Sequence, residues 1–222
     1  MKIISFCNNN SKTGKTTTAF NIALKFSAKG LKTLAIDTDP KLDLTSMFGL
    51  KDIQSVKDYE LLDKNTKIET VAVNDNLEVT AIDTGKRGYG RYKGLKDYLL
   101  TLEDKYDVII IDTAPTFHEY LPNVLFASDI YVVTKDDWKE VIGIKSIIDI
   151  ARDLDKKISG IILTMKEKSA KPRFGDFEKL LDEYQLKTAI RKDTTFSENE
   201  KDYNDLAEEI MRKEGLMKWK KS

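Results

Sequence analysis

The chain has 222 residues, and its 37 basic side chains balance 37 acidic ones, so no global field drives it toward nucleic acid or an anionic membrane; any such affinity has to come from a local patch. Its single cysteine and single histidine exclude an intrachain disulfide framework and any cysteine- or histidine-cluster metal site within one chain, and leave a catalytic triad resting on His118 alone. The length favours one domain with a proper core; no stretch approaches the roughly 18 apolar residues of a membrane span, and Met1-Lys2-Ile3-Ile4 passes directly into a strand without a signal-peptide pattern, so a soluble cytoplasmic protein is expected.

Short apolar runs alternate with amphipathic segments along the whole length. That pattern predicts a single α/β domain over 1–222, a mostly parallel twisted sheet with helices on both faces, ending in a solvated tail at about 214–222. The first strand is Ile3-Ile4-Ser5-Phe6. It enters a polar loop, Cys7 to Gly14, and leaves as a helix from Lys15 that carries Ala19, Ile22, Ala23 and Phe26 at helical spacing and stops at Gly30. Such a loop aims backbone N–H groups and the positive end of a helix at one point, which suits a phosphate chain. Asn10, Ser11, Lys12, Thr13, Gly14, Lys15, Thr16 and Thr17 are the candidate cradle. Lys15 would place a point charge on the β- and γ-phosphates, and the Thr16 hydroxyl would be a ligand for Mg²⁺. The general fingerprint wants glycine five residues before Gly14. This chain has Asn9, a residue type that tolerates positive φ better than most.

The next strand, Thr33 to Ile36, ends in Asp37-Thr38-Asp39-Pro40. Two carboxylates there, beside a phosphate loop, suit a metal's outer shell and the positioning of a water. If the strand continues they point to opposite sides and take different roles. Residues 41 to 75 read as mixed helix and turn, and Leu77 to Ile82 as a strand. Gly85 to Lys96 holds five basic residues, two tyrosines and no acid, and reads either as a solvated loop or as a surface along a nucleic-acid backbone; a helix around Tyr98 to Leu102 follows. Tyr106 to Asp112 is an apolar strand ending in an acid. In a phosphate-loop protein that acid accepts a hydrogen bond from the magnesium shell, and Thr113-Ala114-Pro115 turns the chain where it could sense a γ-phosphate. His118 reads as a helix-surface residue. Then come a strand at Ile130 to Val133, a helix through Val141, Ile144, Ile147, Ile148 and Ala151, a strand at Ile158 to Leu163, and a helix over 176–184. A short strand near Thr188-Ala189-Ile190 and a last helix through Tyr203, Leu206, Ala207 and Ile210 complete the series; these stripes are core. Further basic patches lie at Lys166, Lys168, Lys171 and Arg173, at Arg191-Lys192, and in the tail around Trp219.

Taken together, Asn8 to Thr18, Asp37-Thr38-Asp39-Pro40 and Tyr106 to Pro115 resemble the ParA and MinD group of deviant Walker A ATPases, nearly end to end, and within it the small ParA-type partition ATPases. The resemblance implies ATP or ADP with Mg²⁺, an ATP-dependent homodimer, binding to DNA without sequence preference, and a centromere-binding adaptor that triggers hydrolysis, in a nucleoid-associated cytoplasmic protein and without a membrane partner. It places Lys15, Asp39 and Lys12 in catalysis, with Asp39 orienting the attacking water. Thr16, Asp37 and Asp112 fall around the magnesium, and adenine near Thr164, Met165 and the segment around Arg191. One departure stands out. The family reads Lys-Gly-Gly where this chain has Asn10-Ser11-Lys12, and that first lysine reaches across the dimer to the partner's phosphates. Lys12 would supply the charge instead, and hydrolysis should be slow. The alternatives are a MinD-like membrane-associated positioning ATPase, a phosphate-loop small-molecule kinase or ligase, and a nucleotide-bound regulator that scarcely hydrolyses ATP.

Overall fold

A computed structural model describes residues 1–50, 53–63, 65–84, 93–115, 120–167, 175–192 and 195–217. His118, Lys168, Lys171, Arg173, Trp219 and the basic segment from Gly85 to Tyr92 lie outside the described residues. The described strands form one sheet: β1 (Lys2–Cys7), β2 (Thr33–Asp37), β3 (Ser55–Lys57), β4 (Val71–Asn74), β5 (Leu77–Asp83), β6 (Val108–Asp112), β7 (Asp129–Lys135) and β8 (Ile158–Thr164). They lie in the order β3-β5-β2-β6-β1-β7-β8, all parallel, with β4 antiparallel beside β5.

Helices cover both faces, which is why the central strands read as unbroken β-branched runs rather than alternating ones. On one face α1 (Lys15–Ala28) and α7 (Phe196–Lys213) press Ile22, Phe26, Leu206 and Ile210 against Ile4, Phe6, Val108 and Ile110. On the other, α3 (Lys93–Leu100) and α4 (Leu121–Ala127) cover Ile3, Ile109 and Ile111, while α5 (Val141–Asp153) and α6 (Gly175–Tyr184) cover Val132, Ile161 and Leu163. A short helix, α2 (Asp43–Met47), follows β2. Because β1 and β2 flank β6 in parallel register, Phe6 and Asp37 both stand level with Asp112. The carboxyl ends of three strands therefore meet at one height, with β1 feeding its loop between β6 and β7, and this is where a parallel sheet offers a crevice.

Three expectations need correction. The 41 to 75 region contains two strands as well as helix and turn. β4 escapes notice because all four of its residues are exposed, so it has no apolar alternation, and β3 has only three residues. The segment Thr188-Ala189-Ile190 is not a strand; it runs beside β8 through separate bonds, Ile190 N–H to the Leu163 carbonyl (2.8 Å) and Lys166 N–H to the Ile190 carbonyl (3.0 Å). The helix expected around Tyr98 to Leu102 spans Lys93–Leu100, because its buried stripe is Leu95, Tyr98 and Leu99.

The last helix is defined at both ends. Thr195 and Glu198 form a reciprocal capping box at its start. At its far end the carboxylate of Glu214 accepts from Tyr131 Oη (2.6 Å) and Lys2 Nζ (3.0 Å), tying the chain back to β7 and β1. Leu206, fully buried between α7 and α1, should lose about 3 kcal/mol on Leu206→Ala, the usual cost of a core cavity. Urea unfolding measures it; a loss below about 1 kcal/mol would mean that α7 does not share the core.

Candidate nucleotide site

The loop between β1 and α1 is held by its own asparagines. Asn8 Nδ2 donates to the Val133 carbonyl (2.9 Å) and Asn8 Oδ1 accepts from the Asn10 N–H (2.9 Å). Asn9 Nδ2 donates to Ser146 Oγ (2.6 Å) and Asn10 Nδ2 to Glu140 Oε2 (2.7 Å). The turn then uses two left-handed residues, Lys12 at φ 56° and Gly14 at φ 92°. Gly14 is needed for space as well as for φ: a Cβ there would lie 3.3 Å from Thr164 Cγ2. Thr164, the last residue of β8, donates its hydroxyl to the Thr13 carbonyl at 2.7 Å, so the end of β8 is the floor of the loop. No side chain caps the start of α1, which leaves its first-turn amides free for an anion.

Lys15 is 5 % exposed and donates from Nζ to the Asn10 carbonyl at 3.0 Å. Burial lowers its pKa, and the charges of Asp112, Cys7, Asp39 and Glu140 act against that. Asp112, at the end of β6, is 0 % exposed, and neither of its oxygens has a hydrogen-bond partner. Burial raises its pKa well above the ordinary carboxylate value. The Thr16 hydroxyl opposes this without reaching hydrogen-bonding geometry, Asp37 and Asp39 push it further up, and Lys15 pulls it down. A sealed carboxylate without a donor is costly, and a hydrated cation held by an adjacent hydroxyl is the kind of group that removes the cost. Among the described residues no three or more acids, histidines or cysteines form a metal cage. The donor set thus fits Mg²⁺ in the form that keeps waters and shares its ligands with phosphate oxygens.

The structure brings Lys15, Thr16, Asp37, Asp39 and Asp112 together, and it divides the two acids of the Asp37-Thr38-Asp39 turn. Asp37 ends β2 and spends both oxygens on backbone, accepting from the Asp39 N–H (3.0 Å) and from the Thr45 N–H of α2 (3.0 Å). Its pKa is pushed up to about 6, first by burial. Asp39 lies past the strand end, and its Oδ1 accepts from the Lys41 N–H (2.9 Å). Ser11 and Lys12 are exposed on the rim, whereas the Asn10 side chain turns inward. Met165, left-handed and 40 % exposed, directly follows Thr164. Arg191 is engaged elsewhere: its guanidinium clasps Asp202 through Nη2 at 2.8 Å and Nε at 3.0 Å. Sequence reasoning missed Glu140 and the hydroxyl tether of Thr164. The run of three asparagines after a strand was the available signal for a side-chain-anchored loop.

The AAA domain family matches residues 1–162 of this chain. A virulence plasmid ParA family protein of Chlamydia psittaci is 28% identical over 218 residues, which are 89% of this chain and 83% of that protein. Among solved structures, a putative plasmid partition protein from Borrelia burgdorferi B31 bound to AMPPNP superposes with a TM-score of 0.71 and 26% identity over 96% of this chain and 98% of the other. The septum site-determining protein MinD of Pyrococcus horikoshii, complexed with Mg-ADP, gives a TM-score of 0.75 at 21% identity over 97% and 98%, a likeness of fold.

The buried acids set a pH dependence. A carboxyl group whose pKa is higher in the folded than in the unfolded chain favours folding when protonated; that contribution is complete below the unfolded value, ordinarily 3.8, and is lost as pH rises through the folded value, about 6 for Asp37. Asp112 acts in the same direction. Without Mg²⁺ and nucleotide, stability should therefore fall between about pH 4 and pH 7, and Asp112→Asn should weaken that dependence and add about 1–2 kcal/mol at pH 7.5. Urea titrations at pH 5 and 7.5 read both; a less stable Asp112→Asn protein at pH 7.5 would contradict the assignment of a strained, unpartnered carboxylate.

Proposed function

Since the chain belongs to the AAA domain family, as a P-loop ATPase of the ParA and MinD type, we propose that it binds ATP or ADP with Mg²⁺ in the Gly14–Thr17 cradle and works as a nucleotide-timed switch in DNA partition. One observation carries the reading of the site. The unpartnered Asp112 carboxylate faces Lys15 and Thr16 beneath an uncapped helix start, an arrangement that a phosphate-bound cation would satisfy in both charge and hydrogen bonding.

The roles follow from placement. The first-turn amides of α1 and the Lys15 ammonium hold the phosphate oxygens; Lys15 leaves the Asn10 carbonyl to do so or bridges both. The Thr16 hydroxyl would be the protein's ligand to the ion, and Asp112 would accept hydrogen bonds from the waters around it. Bound Mg²⁺ would supply neutralisation of charge on the β- and γ-phosphate oxygens. Asp39 orients a water in line with the γ-phosphorus. Asp37, by fixing the Asp39 amide and the start of α2, keeps that carboxylate in position. On the rim, Lys12 is the exposed charge beside the cradle, which supports its standing in for the lysine missing at Asn10 in an ATP-dependent homodimer. Non-specific DNA and a hydrolysis-stimulating adaptor are the partners this reading takes from the family. A MinD-like membrane role is less well supported: the apolar face of α7, Tyr203, Leu206, Ala207 and Ile210, is spent on the core and is not free to lie on a bilayer. A kinase or ligase would use the same cradle, and a scarcely hydrolysing regulator would differ only in rate.

Calorimetry with ADP and Mg²⁺ should register binding that Lys15→Ala weakens at least about tenfold, the loss of a charge-assisted contact. Asp39→Ala should keep nucleotide affinity within a few-fold yet cut turnover by about a hundredfold or more; unchanged turnover removes Asp39 from its role. A DNA pull-down at several salt concentrations with ATP, with ADP and with neither distinguishes partition from the other readings. Retention with ATP that weakens with ADP supports it, and DNA binding indifferent to nucleotide counts against it.

A further inference from the structure

The function proposed above assigns Lys15, Thr16, Asp39 and Asp112 to the phosphates, the cation or the attacking water. Glu140 touches none of them, yet it is only 8 % exposed and faces the loop from the opposite wall of the crevice. It ends a 3₁₀ turn, Trp138–Glu140, that leads directly into α5, and Asp137 fixes that turn by accepting from the Lys139 N–H at 3.0 Å. Glu140 Oε2 accepts from Asn10 Nδ2 at 2.7 Å, while Oε1 lies 4.0 Å from Lys135 Nζ at the edge of the site. Asn10 in turn presents its carbonyl to the Lys15 ammonium at 3.0 Å. A continuous chain thus runs from Glu140 through the side chain and backbone of Asn10 to the ammonium that serves the phosphates.

The surroundings of Glu140 are shaped for this contact. One turn into α5, Gly143 lies so close to the loop that a Cβ would stand 2.7 Å from Asn8 Oδ1 and 2.9 Å from Asn10 Nδ2. Separations this short exclude any side chain at 143 unless the asparagines withdraw. Beyond it, Ser146 Oγ accepts from Asn9 Nδ2. The first two turns of α5 and residues 8 to 10 therefore interlock, with Glu140 as the one charged member of the contact.

We propose that Glu140 is a positioning residue of the nucleotide site: through Asn10 it fixes the phosphate loop in its binding-ready shape and sets where Lys15 rests before nucleotide arrives. The inference builds on the nucleotide-binding reading above. In this loop the glycines of other phosphate loops are replaced at Asn9, Ser11 and Lys12, so its shape comes from side-chain anchors rather than from glycine geometry. Removing the central anchor leaves a looser loop that must be ordered when nucleotide binds, and that cost falls on ADP and ATP alike. Uniform loss of binding raises KM and leaves kcat in place. A glutamine at 140 still offers an oxygen to Asn10 Nδ2, so Glu140→Gln should keep the anchor that Glu140→Ala lacks.

Two measurements on the full chain test this. In nucleotide-free protein, amide hydrogen exchange of a peptide spanning residues 8–14 should be about tenfold faster in Glu140→Ala than in wild type and near wild type in Glu140→Gln. ADP affinity by calorimetry should fall about tenfold in Glu140→Ala and in Asn10→Ala, no further in the double variant, and little in Glu140→Gln, with kcat of the two Glu140 variants unchanged within about twofold. Wild-type exchange and ADP affinity in Glu140→Ala would overturn the inference, as would additive losses in the double variant. If wild-type protein gives no heat with ADP, the nucleotide reading fails, and the exchange comparison still decides whether Glu140 holds the loop.

Discussion

Asp112 sits at the carboxyl end of β6, sealed from solvent, with both oxygens unpaired, and Lys15, almost as deeply buried, brings a compensating charge to bear on it. Two opposite charges withdrawn from water recover only part of their hydration through each other. The chain keeps them there against that cost, and the sheet is built so that it can: β1 and β2 bracket β6 in register, bringing the phosphate loop to one side of Asp112 and the Asp37-Thr38-Asp39 turn to the other. Thr38 reinforces the junction by donating its hydroxyl to the Asp112 carbonyl at 2.7 Å, and Thr113 by donating to the Phe6 carbonyl at 3.0 Å. Backbone groups around the acid are satisfied while the carboxylate itself is left open. The waters of the proposed cation would satisfy it.

The walls of the crevice come from distant parts of the sequence. On one side Thr164 pins Thr13 and forbids a side chain at 14. On the other, α5 takes up the asparagines. A glycine-rich phosphate loop reaches its shape through backbone freedom and loses entropy on ordering. This loop has non-glycine residues at 9, 11 and 12 and adopts positive φ at only Lys12 and Gly14. Its order is bought with amide side chains whose partners lie 125, 137 and 130 residues away. Loop shape here is therefore a property of the folded β7–α5 junction as much as of the loop's own sequence.

That dependence explains what could be read from the sequence and what could not. The strands Ile3 to Phe6, Thr33 to Ile36 and Val108 to Asp112 announce themselves because burial on both faces demands continuous apolar runs, and the acids that end two of them stand out against that background. Gly14-Lys15-Thr16 is legible for the same local reason. The exposed β4 carries no such pattern, nor does the stretch at 188–190, whose pairing with β8 depends on contacts that no local signal encodes. Glu140 looks like one acid among 37 until the fold sets it against Asn10. Asp37 and Asp39 are placed differently, but not through strand alternation: the strand stops at Asp37, and its carboxylate is consumed in making the turn.

The same geometry separates residues 10 and 12, which the sequence presents as rivals for one task. Asn10 has its side-chain amide on Glu140 and its backbone carbonyl on Lys15, so its contacts run inward to the loop's own walls. A lysine in its place would meet the same carboxylate and be drawn inward by it. Lys12 is left-handed, exposed and without a role in holding the loop together. Its charge is free to act beyond the rim. Inward contact and exposed charge thus fall on two different residues, and the loop is held by asparagine contacts rather than by glycines at 9, 11 and 12.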